Sequence, residues 1–201
     1  MSDASLINKA RQQLARDGVL RAALNLSNFL LVCGKGADGQ WQGVAPDLAS
    51  AIASRLGVSL ELVAFATPGE VAAAAGSGAW SIALIGAEPE RAKTIDFSSP
   101  YVEIEAGYLV QQGSKLQHVD EVDKTGTRIA AYQGSAYDLW LTANLKQATL
   151  VHAKTFDEAF YRFKNEGIEV LASLKPKLIS DQQALPEIGR ASCRERVCVP
   201  V

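Results

Sequence analysis

The sequence has few of the residues from which metal sites and reactive centres are commonly built. It contains three cysteines and two histidines in 201 residues, and His118 and His152 have no metal-ligand partner close in sequence. No apolar run approaches the roughly 20 residues of a membrane-spanning helix. No phosphate-binding glycine loop and no nucleophile elbow is present. We therefore expect no metal, no cofactor and no integral membrane protein.

The sequence also has no large excess of charge of one sign. Twenty basic and 22 acidic residues give a formal net charge of −2, so there is no basic field for nucleic acid or an anionic membrane. Apolar residues make up 48% and charged residues 21%, as in ordinary globular proteins. The length allows one large domain or two small ones, each with a sizeable core.

The two ends of the chain differ from the rest. Residues 1–17 predict a polar helix and lack the apolar core of a secretion signal. Residues 188–201 hold two of the three cysteines and show no helix or strand period, and residues 188–197 resemble the translation of a sequencing adaptor. We expect this tail to be non-native, which leaves Cys33 as the only native cysteine and allows no disulfide.

Between these ends, predicted strands and helices alternate twice. A first group, in residues 18–107, contains strands at 19–26, 58–64 and 82–85 and helices at 46–56 and 68–75. An extended stretch at 101–110 leads to a second group, in residues 108–187, with strands at 127–132, 149–152 and 168–174 and helices at 136–145, from 156, and from 175. This alternation is typical of parallel sheets covered by helices. Two such groups predict two lobes with a cleft between them, where small ligands commonly bind.

One arginine follows the third predicted strand. The apolar run ends at Gly86, a proline-containing turn comes next, and Arg91 stands just beyond it. Ligands of open α/β sheets bind at the carboxyl ends of the strands, so Arg91 is the first candidate for binding an anion. The alternative is a surface arginine paired with Glu88 or Glu90.

Several spaced segments carry a family resemblance. Pro89-Glu90-Arg91, followed by Ile95-Asp96-Phe97-Ser98 and Pro100-Tyr101, is the most specific; Gly43-Val44-Ala45-Pro46-Asp47, Gln133-Gly134-Ser135 and Gly167-Ile168-Glu169 support it. Together they resemble the family 3 extracellular solute-binding proteins, the amino-acid receptors of ABC importers. The resemblance implies a type II periplasmic-binding-protein fold, two-lobed and α/β, each lobe a mostly parallel sheet with flanking helices. It also implies that the second crossover and the C-terminal part of lobe 1 are missing.

The resemblance further implies how a ligand would be held. The arginine that Arg91 matches binds the ligand's carboxylate, and a guanidinium can donate two parallel hydrogen bonds to it. Gly134, Ser135 and Ala136 begin a helix whose N–H groups and Ser135 hydroxyl would face the same carboxylate. The structural alternative for Ser135 is a plain N-cap, worth about 1 kcal/mol, and the two roles can hold at once. Gly86, before the arginine, and Asn28, where the family has an aromatic lid, complete the candidate site.

One departure from the family concerns the ligand's ammonium group. The acidic residue that usually neutralises it is missing, and Ser173, Leu174 and Lys175 occupy that neighbourhood. A buried ammonium without a carboxylate is costly. Either Glu88 supplies the carboxylate, or the ligand is a small carboxylate or an amino-acid derivative. Glu88 as a solvated turn residue and Lys175 as a solvated helix start are the structural alternatives.

Three functions remain open at this point. The favoured one is a monomeric, non-enzymatic binding protein that delivers a small carboxylate-bearing solute to ABC permease subunits, in the periplasm or outside the cell by resemblance, although the missing export signal leaves the cytoplasm open. An enzyme resembling cyclohexadienyl dehydratases would need Glu88 as general acid. An effector-sensing domain of a transcription factor is disfavoured, because the residues before Val19 are too few for a helix-turn-helix.

Overall fold

The computed structural model of the chain describes residues 3–184 and 197–200. These residues fall into two compact units, Met1–Ile85 with Lys93–Asp96, and Gly86–Ala92 with Phe97–Val201. The predicted boundary at residue 107 therefore differs from the observed one, since the segment that carries Arg91 and the whole chain from Phe97 group with the second unit. The physical reason is pairing: the long extended strand that follows Phe97 forms its ladder inside the second unit.

The first unit is a three-stranded parallel sheet with three helices. Its elements are α1 (Asp3–Leu14), β1 (Val19–Asn25), β2 (Gly34–Lys35), β3 (Trp41–Gln42), α2 (Val44–Leu56), β4 (Ser59–Phe65), α3 (Pro68–Ala73) and β5 (Ile82–Ala83). The sheet order is β4-β1-β5, and β2 and β3 form a small antiparallel hairpin. Leu20 and Leu24 of the central strand are fully buried.

Helix α2 differs from its prediction at its start and on its buried face. It begins at Val44, two residues before Pro46, because the missing N–H of a proline costs nothing in the first helical turn. Its buried residues are mostly small (Ala45, Pro46, Ala49, Ala53 and Leu56), whereas Leu48 and Ile52 of the predicted face are half-buried. Gly57 ends the helix in the left-handed conformation, as predicted.

The described residues of the second unit form a mixed sheet with three helices. Its elements are β6 (Glu103–Val110), β7 (Arg128–Tyr132), α4 (Ala136–Asn144), β8 (Thr149–Ala153), α5 (Phe156–Asn165), β9 (Val170–Leu174), α6 (Lys175–Ala184) and β10 (Val197–Pro200). The sheet order is β10-β6-β9-β7-β8. Strand β7 runs parallel to β8 and β9, and β6 runs antiparallel to β9. Phe163 of α5 is fully buried in the core beneath β7 and β9.

Four residues of the expected non-native tail form a strand, although this part of the sequence shows no strand period. Residues 197–200 pair antiparallel with Glu103–Ala106 of β6. Without them β6 would be an edge strand, whose unpaired N–H and C=O groups accept any extended segment irrespective of its side chains. The remaining tail residues, 188–196 and 201, lie outside the described residues. Among the helices that the structure describes, none has the length and apolar character required to cross a membrane.

Candidate functional site

The turn between β7 and α4 is the centre of the candidate site. Strand β7 ends at Tyr132, and Gly134 adopts a φ of 73°, which favours glycine. Ser135 then caps α4, because its Oγ accepts a hydrogen bond from the N–H of Asp138 at 3.2 Å. Ser135 and Ala136 are buried, at 6% and 9% exposure. Ser135 therefore acts as the N-cap of α4, which is the structural alternative stated for it above.

Arg91 lies against this turn and not on the surface. The side chain is 5% exposed, and the second unit contains both Arg91 and the turn. Nη1 donates to the carbonyl oxygen of Gly86 at 2.6 Å, and Nη2 donates to the carbonyl oxygen of Gly134 at 2.8 Å. Burial lowers the pKa of Arg91 while nearby Glu88 opposes this, and a guanidinium stays charged in proteins. The structure thus brings Gly86, Arg91 and Gly134 together around one buried positive charge.

Glu88 has a local structural task. Its Oε1 accepts from the main-chain N–H of Arg91 at 2.6 Å, and its Oε2 accepts from the N–H of Glu90 at 3.0 Å. These bonds begin the short 3₁₀ turn at Arg91–Lys93. The carboxylate is therefore bound to main-chain donors, which is the task of a cap. This geometry favours the structural alternative over an ammonium-binding or acid-catalytic role.

Asn28 is the one candidate residue of the first unit. Its Oδ1 accepts from the N–H of Leu30 at 3.2 Å, and its carbonyl oxygen accepts from the N–H groups of Leu31 and Val32. Asn28 thus shapes the loop that follows β1. Asn28 belongs to the first unit, whereas the residues around Arg91 belong to the second.

Lys175, which stands near the position of the family's ammonium-binding acid, is paired. Its Nζ donates to Oε2 of Glu105 at 2.5 Å, and both side chains are more than two-fifths exposed. The pair joins the start of α6 to β6. A neighbouring residue of β9, Ser173, is buried, and so is Tyr137 of α4, whose pKa burial raises well above the ordinary value for a phenol.

Asp138 and His152 belong to the same cluster and were not predicted. Oδ2 of Asp138 accepts from the N–H of Gly134 at 2.9 Å, and Oδ1 lies 2.9 Å from Nδ1 of His152. Asp138 is 2% exposed. The spacing Ser135-x-x-Asp138 is that of a capping box, so the sequence did contain a signal for Asp138. The partnership with His152, 14 residues away, had no sequence signal.

Metal ligands do not assemble in the described part of the chain. No group of three or more histidine, cysteine, aspartate or glutamate side chains within residues 3–184 and 197–200 is arranged to hold a metal ion. His118, the other histidine, is exposed and caps the 3₁₀ turn at Val119–Glu121. What the cluster around Arg91 offers chemically is charge and hydrogen-bond donors suited to an anion.

Solved structures with the same fold are numerous. The ancestral amino acid-binding protein AncCDT-1, described as a precursor of cyclohexadienyl dehydratase, superposes with a TM-score of 0.71 at 22% identity, over 98% of this chain and 83% of that one. The arginine-bound amino acid ABC transporter substrate-binding protein AbpA of Streptococcus pneumoniae gives 0.72 at 24% identity, over 94% and 81%. At these identities the likeness shows the fold alone, and it confirms the predicted type II periplasmic-binding-protein class.

Sequence comparison identifies the family. The ABC transporter glutamine-binding protein GlnH of Bacillus subtilis (strain 168) is 32% identical over 76 residues, which cover 38% of this chain and 28% of that protein. The family described as bacterial extracellular solute-binding proteins, family 3, matches residues 32–178. This match spans most of the chain and confirms the resemblance seen in the sequence. The chain belongs to the family 3 bacterial extracellular solute-binding proteins.

Proposed function

We propose that this chain is the solute-binding component of an ABC-type importer and binds a small carboxylate-bearing solute, an amino acid or a derivative of one. Its family consists of extracellular solute-binding proteins, and the Bacillus relative is a glutamine-binding protein of an ABC transporter. Permease subunits are then its protein partners, and it acts outside the cytoplasmic membrane. A monomeric state and capture between two lobes stay predictions.

The observation that carries the proposal is the position of Arg91. A guanidinium that is 5% exposed donates to the carbonyl oxygen of Gly134, the residue directly before the N-cap of α4. Five N–H donors allow one arginine to hold main-chain carbonyls and a carboxylate at the same time. The positive end of the α4 dipole favours an anion at the same place.

The carboxylates of this cluster bear on the ligand class. Glu88 accepts from two main-chain N–H groups, and Asp138 accepts from Gly134 and faces His152. Lys175, near the position of the family's acid, brings a positive charge. An α-ammonium group next to Arg91 would therefore compete with protein donors for these carboxylates. The proposal accordingly favours a ligand recognised by its carboxylate more than by its ammonium.

The proposal includes no chemical step. The dehydratase alternative requires Glu88 to donate a proton to a substrate. Because both carboxylate oxygens of Glu88 are bound to the turn that it caps, moving this group to a substrate would cost two hydrogen bonds.

A thermal-shift screen tests the proposal. L-glutamine, L-glutamate, L-arginine and 2-oxoglutarate are added one at a time, the last having a ketone oxygen in place of the ammonium group of L-glutamate. A ligand at a concentration about 100 times its Kd stabilises the native state by about 2.7 kcal/mol, which raises the melting temperature by several degrees. A rise with 2-oxoglutarate at least as large as that with L-glutamate supports recognition through the carboxylate.

Two variants test whether the thermal shift depends on the guanidinium of Arg91. Arg91→Lys keeps the charge but cannot form a two-pronged carboxylate contact, so it should abolish the shift. Arg55→Lys makes the same change at a guanidinium that is 71% exposed and 3.5 Å from Asp3, and it should leave the shift intact. An unchanged shift in Arg91→Lys, or the absence of a shift with every probe, would reject the proposal.

A further inference from the structure

A chain of hydrogen bonds connects an exposed histidine to the buried arginine of the candidate site. His152 Nδ1 lies 2.9 Å from Asp138 Oδ1, Gly134 N–H donates to Asp138 Oδ2 at 2.9 Å, and Arg91 Nη2 donates to the Gly134 carbonyl at 2.8 Å. The side chain of His152 is 41% exposed, whereas the side chain of Asp138 is 3% exposed. The chain therefore runs from solvent to the interior through one peptide turn.

Both polar main-chain groups of Gly134 are held by side chains. Asp138 holds its N–H and Arg91 holds its carbonyl oxygen, at a residue whose φ is 73°. A residue in this conformation can rotate easily unless its neighbours fix it, because glycine has no Cβ to limit φ. The orientation of the Gly134 peptide, and with it the donors at the start of α4, thus depends on Asp138.

The charge of Asp138 has two compensating partners. Burial of a carboxylate is costly unless hydrogen bonds and positive charge offset it. The N-terminal turn of α4, in which Asp138 lies, supplies the first offset through its dipole. His152 supplies the second, and only when it is protonated.

Two charged groups from packed elements face His152. Asp138 approaches its ring from α4. Arg162 of α5 approaches its main-chain carbonyl, to which Nη1 donates at 3.3 Å, and Arg162 is itself flanked by Glu158 and Glu166. On the neighbouring strand β7, the residue in register is the uncharged Ala131. Asp138 is therefore the group that the ring charge acts on directly.

We propose that Asp138 and His152 are positioning residues of the anion site: they hold the Gly134 peptide against Arg91, and protonation of His152 strengthens the site for an anion by neutralising Asp138. The part that concerns the anion rests on the proposed function, whereas the hydrogen-bond chain can be tested without any ligand. Neither residue contacts the ligand in this arrangement. Each acts through the turn.

Nuclear magnetic resonance of the full chain tests the hydrogen-bond chain directly. The amide resonance of Gly134 is followed from about pH 5 to about pH 8, the range in which imidazoles titrate. In the native sequence it should move along a single one-proton titration, because the acceptor of its N–H gains and loses a charged partner. His152→Gln should remove this movement. Since His152 is exposed, the variant should stay folded.

His118→Gln is the matched control. It removes the other histidine of the chain, which lies at the 3₁₀ turn of Val119–Glu121, and should leave the Gly134 titration unchanged. Asp138→Asn keeps the shape of the side chain and removes its charge, and should also abolish the titration. A flat Gly134 resonance in the native sequence, or an equal titration in His152→Gln, would overturn the proposal.

A binding experiment distinguishes failure of this inference from failure of the proposed function. Calorimetry with L-glutamine and with 2-oxoglutarate should give about threefold or greater tightening on lowering the pH through the imidazole range, and no such change in His152→Gln. If Gly134 titrates through His152 and no probe binds, the hydrogen-bond chain stands, whereas the proposed function fails together with the part of the inference that concerns the anion. If a probe binds equally at both pH values in both proteins, the proposed function stands and the inference is overturned.

Discussion

Arg91 donates a 2.8 Å hydrogen bond to the carbonyl oxygen of Gly134, a residue 43 positions later in the chain. The same guanidinium holds the carbonyl oxygen of Gly86 at 2.6 Å. One buried side chain thus connects the segment before the 3₁₀ turn of Arg91–Lys93 to the turn before α4. Such a bridge contributes to stability as well as to the charge of the site.

Arg91→Lys should therefore destabilise the protein even without ligand. An ammonium on a shorter side chain cannot reach both carbonyls in the fork geometry of a guanidinium, and a buried acceptor left unpaired costs about 1–3 kcal/mol. The measurement is the free energy of unfolding from urea denaturation. Arg55→Lys, at an exposed guanidinium, should stay within about 0.5 kcal/mol of the native protein. Equal stability of the two variants would show that the bridge contributes nothing.

Ser135→Ala should lower stability and binding together. Loss of the bond from Asp138 N–H to Ser135 Oγ removes an N-cap, which costs about 1 kcal/mol. Thr155→Ala is a matched control, because Thr155 caps α5 through the equivalent bond from Glu158 N–H at 3.0 Å. Both variants should lose similar stability in thermal denaturation. Only Ser135→Ala should weaken the thermal shift given by a bound carboxylate. An equally weakened thermal shift in Thr155→Ala would contradict this prediction.

These positions differ in how far the sequence alone could predict them. The cap at Ser135 and the left-handed Gly57 depend on a few consecutive residues, so local patterns were sufficient for both. The bond from Arg91 to Gly134 and the pairing of Asp138 with His152 depend on how distant segments pack. The family resemblance implied that Arg91 and the turn act together, but neither spacing nor periodicity could show the bond.

Backbone pairing explains two further differences from prediction. Residues 197–200 lack a recognisable strand period, but main-chain hydrogen bonds to β6 require none. Strand β5 is two residues long, although the apolar run around it is longer, because only Ile82 and Ala83 are in register with β1. Side-chain pattern predicts burial, whereas the length of a ladder is decided by the partner strand.

Glu169 should make stability depend on pH. Its carboxylate accepts from Arg128 Nη2 at 2.9 Å, Nε at 3.1 Å and main-chain N–H at 2.8 Å. The hydrogen bonds from Arg128 lower the pKa of Glu169, and partial burial opposes them only in part. A depressed folded-state pKa contributes stability above the ordinary glutamate value and loses it as the pH falls through the folded-state pKa.

The comparison of the native protein with Glu169→Gln isolates this contribution. The difference in urea midpoint should be largest near about pH 7 and should shrink as the pH falls through the folded-state pKa of Glu169, below which the carboxylate is protonated in both states. Glu166→Gln is the control, since it removes the charge of an exposed carboxylate that lies 3.9 Å from Arg162 Nε and so reports the general effect of removing one acidic group. A difference that grows on acidification would have the wrong sign for the stated cause.

Gly43→Ala should be among the more damaging small substitutions in the first unit. Gly43 precedes α2 with a φ of 126°, and a Cβ there would lie 2.5 Å from the carbonyl oxygen of Leu31, which as backbone cannot move aside cheaply. Gly18→Ala is the control, because its φ of 81° carries conformational strain but no atom lies within 4 Å of the added carbon. Strain alone should cost about 1–2 kcal/mol at Gly18, and Gly43→Ala should exceed this in urea denaturation. Gly43 belongs to one of the segments that resemble the family. Equal losses of stability in Gly43→Ala and Gly18→Ala would mean that the close approach of the Leu31 backbone is not the reason for a glycine at position 43.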